Sequence, residues 1–134
     1  MSFALDTNTL IYFFRGEGQV AACLWEVPPG AVGIPAVVLY ELRTGIAKSS
    51  APQKRARQLG ALLRHVQVLP FGIEEAQAAA KIRARLEAEG RPIGPMDTLI
   101  AGTAVATGAT LITRNLKEFG RVPGLAVADW YGPA

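Results

Sequence analysis

Four acids stand where their neighbours make a charge either costly or useful. Asp6 closes the apolar run Phe3-Ala4-Leu5, Glu41 interrupts Val38, Leu39 and Leu42, Asp97 precedes the small and apolar residues Leu99, Ile100, Ala101, Ala104 and Val105, and Glu118 follows Asn115. If the four meet, each pair about 4 Å apart repels by roughly 4 kcal/mol at an effective dielectric of about 20. Three or four carboxylates do not stay ionised together without compensation. A divalent ion with oxygen-only ligands offsets the repulsion, which points to Mg²⁺ or Mn²⁺. Such an ion generates hydroxide from water and neutralises charge on a phosphodiester in the transition state. Phosphate-ester hydrolysis is the chemistry this set would do.

Other chemistries lack their residues. Cys23 and His65 are the single cysteine and histidine, so there is no internal disulfide and no zinc site of the usual kind. A Ser-His-Asp triad would need His65 with Ser2, Ser49 or Ser50, and none of these serines lies in a nucleophile elbow. Each acid also has a plainer reading. Asp6 caps the helix starting at Thr7; Glu41 faces water or pairs with Arg43 or Lys48; Asp97 only complements a helix dipole; Glu118 is an exposed first-turn acid. Glu17, Glu26, Glu74, Glu75, Glu87, Glu89 and Asp129 read as solvated.

The elements that must position these acids follow from periodicity and breakers. Strands are expected over residues 3–5, 31–34, 66–69, 110–112 and 125–127. Helices are expected from Thr7 to the break at Gly16 and Gly18, then over 19–26, to 47 with Pro35 in the first turn, over 52–64 and 73–89, and from Pro95 to Gly108. Asn115 to Phe119 reads as one helical turn. Short apolar strands alternating with helices predict a three-layer α/β/α sandwich with a mostly parallel central sheet. Ligands of such sheets sit beyond the carboxyl ends of the strands. By that rule Asp6, Asn115 and Glu118 share an edge, whereas nothing in the sequence places Glu41 and Asp97 beside them.

One domain over residues 1–134 accounts for the length, and 50% hydrophobic against 19% charged residues argues for a folded core rather than disorder. The net charge of +3 and pI near 9.4 permit a nucleic-acid partner without demanding one. A charge arrives at Asp6, too early for a secretory leader, and no apolar run spans a bilayer, so a cytoplasmic protein without membrane contact is expected.

Four motifs occur in order: Leu5-Asp6-Thr7-Asn8, Tyr40-Glu41-Leu42, Ile93-Gly94-Pro95-Met96-Asp97 and Thr113-Arg114-Asn115-Leu116-Lys117-Glu118-Phe119. Each is short, but together, with Arg91-Pro92 before the third and Val122-Pro123-Gly124-Leu125 near the end, they resemble the PIN-domain family, and VapC-type toxins within it, over nearly the whole chain. The resemblance implies a metal-dependent endoribonuclease of a type II toxin–antitoxin module. Asp6, Glu41, Asp97 and Glu118 are its acidic pocket, and Asp6, Asp97 and Glu118 hold the Mg²⁺ or Mn²⁺. It further implies a homodimer inhibited by a cognate antitoxin that occupies the site. The family often has aspartate where this chain has Asn115, which leaves Asn115 to bind through its amide oxygen, cap the turn or orient Glu118.

Around that pocket, Thr7 or Thr113 is expected to orient Asp6. Arg114 and Lys117 flank the pocket as candidate RNA phosphate contacts, while Lys54, Arg55, Arg57 and Arg64 read as a solvated helix face. Tyr12, Phe13, Phe14, Leu24 and Trp25 read mostly as core, with any excess available to an antitoxin or a dimer partner. Rival folds fail on particular positions. A haloacid-dehalogenase-type phosphatase needs an acid where Asn8 stands, a receiver domain needs paired acids after the first strand, and a dinucleotide binder needs glycines in place of Asp6-Thr7-Asn8-Thr9. Within the family, the rivals are a non-catalytic scaffold and a housekeeping RNA-processing nuclease.

Overall fold

The computed structural model describes residues 2–132. It runs β1 (Phe3–Leu5), α1 (Thr7–Arg15), α2 (Val20–Glu26), a 3-10 turn at Pro29–Ala31, β2 (Val32–Pro35), α3 (Ala36–Ala47), α4 (Pro52–Leu63), β3 (Gln67–Leu69), α5 (Ile73–Ala88), α6 (Pro95–Thr107), β4 (Thr110–Ile112), α7 (Leu116–Phe119) and β5 (Val127–Ala128). Local chemistry sets most of these limits. Asp6 caps α1, Pro52 and Pro95 take first-turn positions where a missing N–H costs nothing, and Gly16 and Gly108 end α1 and α6 at φ 68° and 70°.

The five strands form one parallel sheet in the order β3-β2-β1-β4-β5. β1 is the centre: Phe3 pairs with Val32 on one side and Thr110 on the other, and Leu5 pairs with Ile112. Strand order reverses between β1 and β4, so right-handed crossovers lay the helices of the two halves on opposite faces. Leu5, Ile34, Val38, Leu111 and Ile112 are fully buried between those layers, which is why the strands read as continuous apolar runs. Among the described residues no helix is long and apolar enough to cross a membrane.

Some expectations shift. Leu125 does not enter the last strand: its N–H donates to the Val122 carbonyl in a turn that uses Gly124 at φ 78°, and β5 starts at Val127. Pro35 ends β2, opposite Leu69, and the helix begins one residue later. Glu75 is not solvated. It is buried and accepts the N–H of Gly72 at 2.7 Å, capping α5. Asp129 is exposed as expected, and in addition accepts from the Tyr131 N–H at 2.8 Å and pairs with Arg114.

The α5–α6 contact brings the two backbones close together. A Cβ on Gly102 would lie 2.6 Å from the Cβ of Ala79 and 2.8 Å from its Cα and N. Both partners are rigid, so Gly102→Ala should destabilise the protein by about 1–2 kcal/mol despite the better helix propensity of alanine. Gly60, mid-helix in α4, has open space where a Cβ would go, and Gly60→Ala should stabilise by roughly 0.5–1 kcal/mol. Urea denaturation of both variants checks the pair; an unchanged midpoint for Gly102→Ala would show that the helices can separate without cost.

Candidate active site

The switch point between β1 and β4 builds one side of the site. The Asp6 N–H donates to the Ile112 carbonyl at 3.2 Å, and the Thr9 hydroxyl reaches the same carbonyl at 3.1 Å. The chain leaving β1 is thereby stitched to the chain leaving β4. Asp6 is buried and its Oδ1 accepts the Thr9 N–H at 2.9 Å, so the cap and the site use one carboxylate. The expectation that Thr7 or Thr113 orients Asp6 is corrected here. Thr7 Oγ1 donates instead to Glu41 Oε1 at 2.5 Å, and Thr113 Oγ1 accepts the Asn115 N–H at 2.9 Å. Thr9 was missed: it reaches Asp6 through its backbone N–H, which any residue but proline would supply there, so its type carried no signal.

Glu41 comes to this edge from α3. Its bond to Thr7 joins α3 to the first turn of α1, and leaves its other oxygen for water or ligand. It also borders a cavity of about 260 Å³ lined by Ile11, Phe14, Arg15, Leu42, Ile46 and Arg55 among others. Glu118 is held by Asn115 in both directions: the Asn115 amide N–H donates to Glu118 Oε2 at 3.0 Å, and its amide oxygen accepts the Glu118 N–H at 3.3 Å. Of the three roles open to Asn115, capping and orienting are therefore both filled.

Asp97 sits in the first turn of α6, with Gly94 beneath it. Burial pushes its carboxyl up from the ordinary 3.8 to about 6; the Glu118 carboxyl within hydrogen-bonding reach and the charges of Glu118, Asp6 and Glu41 push the same way. The other three acids thus all act on Asp97. None of them takes part in an ion pair among the described residues, where the pairs are Arg83–Glu87, Arg85–Glu89 and Arg114–Asp129. The donor set is oxygen-only and negative, which suits a hard divalent ion. Among the described residues no group of three such side chains stands in ready ligand geometry.

The flanking cations diverge. Arg114 turns to the C-terminal segment, 3.5 Å from Asp129 and with its guanidinium 3.9 Å above the Tyr131 ring. Tyr131 in turn meets Tyr12 edge-on at 4.9 Å. Lys117 instead lines a hollow on α7 together with Arg91 and Arg121, two residues that sequence reading did not single out as site residues. Trp25 is largely exposed while touching Phe13 and His65.

The raised Asp97 carboxyl has a consequence for stability. Its folded-state value lies above the unfolded one, so the folded protein binds the extra proton and loses stability as pH rises through the interval from about 3.8 to about 6. Asp97→Asn should remove that loss. In metal-free buffer it should raise the melting temperature at about pH 8 by a few degrees, on the order of 1 kcal/mol after solvent screening of a half-exposed group. At about pH 4 the difference should vanish. Melting curves of both proteins across this range decide it, and a lower melting temperature at pH about 8 would make Asp97 a structural helix-terminus acid.

Known proteins resemble this chain in sequence and in fold. The PIN domain profile matches residues 3–125. The tRNA(fMet)-specific endonuclease VapC of Salmonella typhimurium is 33% identical over 130 residues, covering 97% of this chain and 98% of that protein. Ribonuclease VapC1 of Rickettsia felis is 37% identical, covering 95% of each chain. Among solved structures, a chain of VapBC2 from Rickettsia felis bound to a DNA fragment from their promoter superposes with a TM-score of 0.91 at 31% identity, covering 97% of this chain and 99% of that one. With the profile spanning nearly all of the sheet and every one of the four acids, the chain belongs to the PIN domain family.

Proposed function

We propose that the protein is a divalent-metal-dependent endoribonuclease, the toxin of a type II toxin–antitoxin module, acting in the cytoplasm with Mg²⁺ or Mn²⁺. The observation that carries this reading is the convergence of Glu118, Asp6 and Glu41 on the Asp97 carboxyl. The likeness to the VapC ribonucleases over nearly the full chain supports the choice of RNA as substrate. Asp6, Asp97 and Glu118 are the carboxylates to hold the ion. Bound there, the ion supplies a water acidic enough to act at neutral pH and neutralises charge on the phosphodiester.

The chain's own residues do the rest. Thr9 fixes Asp6, Asn115 fixes Glu118, and the Thr7 hydroxyl fixes Glu41 with one oxygen left open toward the site. Glu41 in that position can orient the attacking water. Hydrolysis adds the water oxygen to phosphorus and breaks the bond to the leaving ribose oxygen; a carboxylate takes the water's proton, and a proton delivered through the site or from solvent makes the leaving oxygen a hydroxyl.

Proteins of similar fold are found in VapBC complexes, which supports a cognate antitoxin as partner. An arginine from a basic antitoxin tail would pair with the same carboxylates and block ion and RNA alike. Exposed Trp25, backed by Phe13, offers apolar contact for the remainder of such a partner. A homodimer is proposed on family likeness.

RNA cleavage should require added Mg²⁺ or Mn²⁺ and stop with EDTA, and full activity in a metal-stripped sample would overturn the metal assignment. Asp6→Ala should lower the cleavage rate by about 100-fold or more. Expressed alone in bacteria, the wild-type chain should arrest growth and Asp6→Ala should not, at equal protein levels. Equal toxicity of the two would detach arrest from this site. Normal growth with the wild type would favour a housekeeping nuclease or a non-catalytic scaffold.

A further inference from the structure

We propose that the hollow between Arg91, Lys117 and Arg121 holds backbone phosphates of the RNA strand beside the scissile bond, an inference that rests on the ribonuclease reading above. The hollow, about 470 Å³, is lined by Gly90, Arg91, Pro92, Lys117 and Arg121, so three of its five residues are cationic and none is acidic. None of the three cations has an ion-pair partner among the described residues, whereas Arg83, Arg85 and Arg114 each have one. Three unneutralised positive charges around one concavity favour an anion.

The hollow is also held in shape. Arg121 Nη1 donates to the Pro92 carbonyl at 3.0 Å, which ties the loop before α6 to the segment after α7. A guanidinium has five N–H donors, so most remain for a ligand. The Arg91 N–H donates to the Leu86 carbonyl at 2.8 Å, anchoring the loop at its other end.

Position selects the anion. The loop that carries Arg91 leads into Asp97, and Lys117 is the neighbour of Glu118 on the single turn of α7. Consecutive residues on a helical turn are about 3.8 Å apart and point in different directions. α7 therefore presents a carboxylate to the acidic pocket and an ammonium to the hollow. A strand with one phosphodiester over the acids carries its next phosphates across α7, where these cations meet them. An open, shallow, charged hollow suits repeated phosphates and not a base, so its contribution is to affinity and register rather than to sequence choice.

The test uses full-length protein in EDTA and a fluorescent single-stranded RNA oligonucleotide, with binding read by anisotropy at several salt concentrations. Each phosphate contact to a single strand contributes about 0.7 to the salt slope. Arg91→Ala/Lys117→Ala, which keeps the Arg121 tie, should lower the slope by about 1.4 and weaken binding roughly 25-fold at about 0.1 M salt. With metal restored, KM for RNA should rise by a similar factor while kcat stays within about two-fold, as expected when uniform binding is lost. Lys54→Ala/Arg57→Ala on α4 should change the slope little, and the melting temperatures of both double variants should match wild type. If the wild type cleaves RNA but Arg91→Ala/Lys117→Ala keeps its slope and KM, the subsite is refuted and the nuclease reading stands. If this variant instead loses binding to poly-glutamate while RNA binding is unchanged, the hollow serves an acidic protein and the proposal is likewise overturned. A wild-type protein that neither binds nor cuts RNA would remove the nuclease reading itself.

Discussion

Mutual repulsion among carboxylates is the constraint on which this structure turns. Three of the four acids each have a fixed neutral donor: the Thr9 N–H for Asp6, the Thr7 hydroxyl for Glu41 and the Asn115 amide for Glu118. Such bonds hold a carboxylate in place without cancelling its charge. Asp97 receives no side-chain donor among the described residues, and it is the group whose carboxyl is pushed up by burial and by its three neighbours. The scaffold therefore keeps the charges close and leaves one of them uncompensated. None of these acids takes part in an ion pair among the described residues.

Holding like charges together requires elements that cannot drift apart. Asp6 is fixed by the β1–β4 ladder at the reversal of strand order, where the Ile112 carbonyl accepts from both the Asp6 N–H and the Thr9 hydroxyl. Asp97 depends on the seating of α6, and that seating depends on the absence of a side chain at Gly102 against Ala79. Glu41 depends on α3, tied to α1 through Thr7. The apolar core acts on the chemistry through these three attachments: it supplies the free energy that offsets the repulsion at the sheet's carboxyl edge.

The cations around the site are divided by the same geometry. Arg114 lies next to the site in sequence, yet Asp129 and the Tyr131 ring draw it to the C-terminal segment. Arg121 is about as near Glu118 along the chain as Arg114 is, yet its tie to the Pro92 carbonyl holds it with Arg91 on the side of α7 that carries Lys117. Nearness along the chain was thus a poor guide to which charges face a ligand, because a side chain's direction is decided by partners from remote segments.

The sequence by itself determined most of the elements and one edge of the site. Apolar runs bounded by Asp6, Pro95, Gly16 and Gly108 mark strands, caps and stops, because backbone preferences and burial act within a few residues. The rule that ligands sit beyond the carboxyl ends of parallel strands put Asp6 and Glu118 together, since Asp6 directly follows β1 and Glu118 comes within a few residues of the end of β4. Local signals also misled where a partner lay far away. Glu75 read as solvated but is buried on the Gly72 N–H, and Leu125 read as strand but turns back to Val122. Only the tertiary structure decided that Glu41 and Asp97, on helices from opposite ends of the chain, reach the same edge, and that Thr7 serves Glu41 and not Asp6. The physical reason is that a helix's rotation and depth against a sheet are set by side-chain packing with distant residues, such as Gly102 on Ala79, and that packing has no signature within the helix's own few turns.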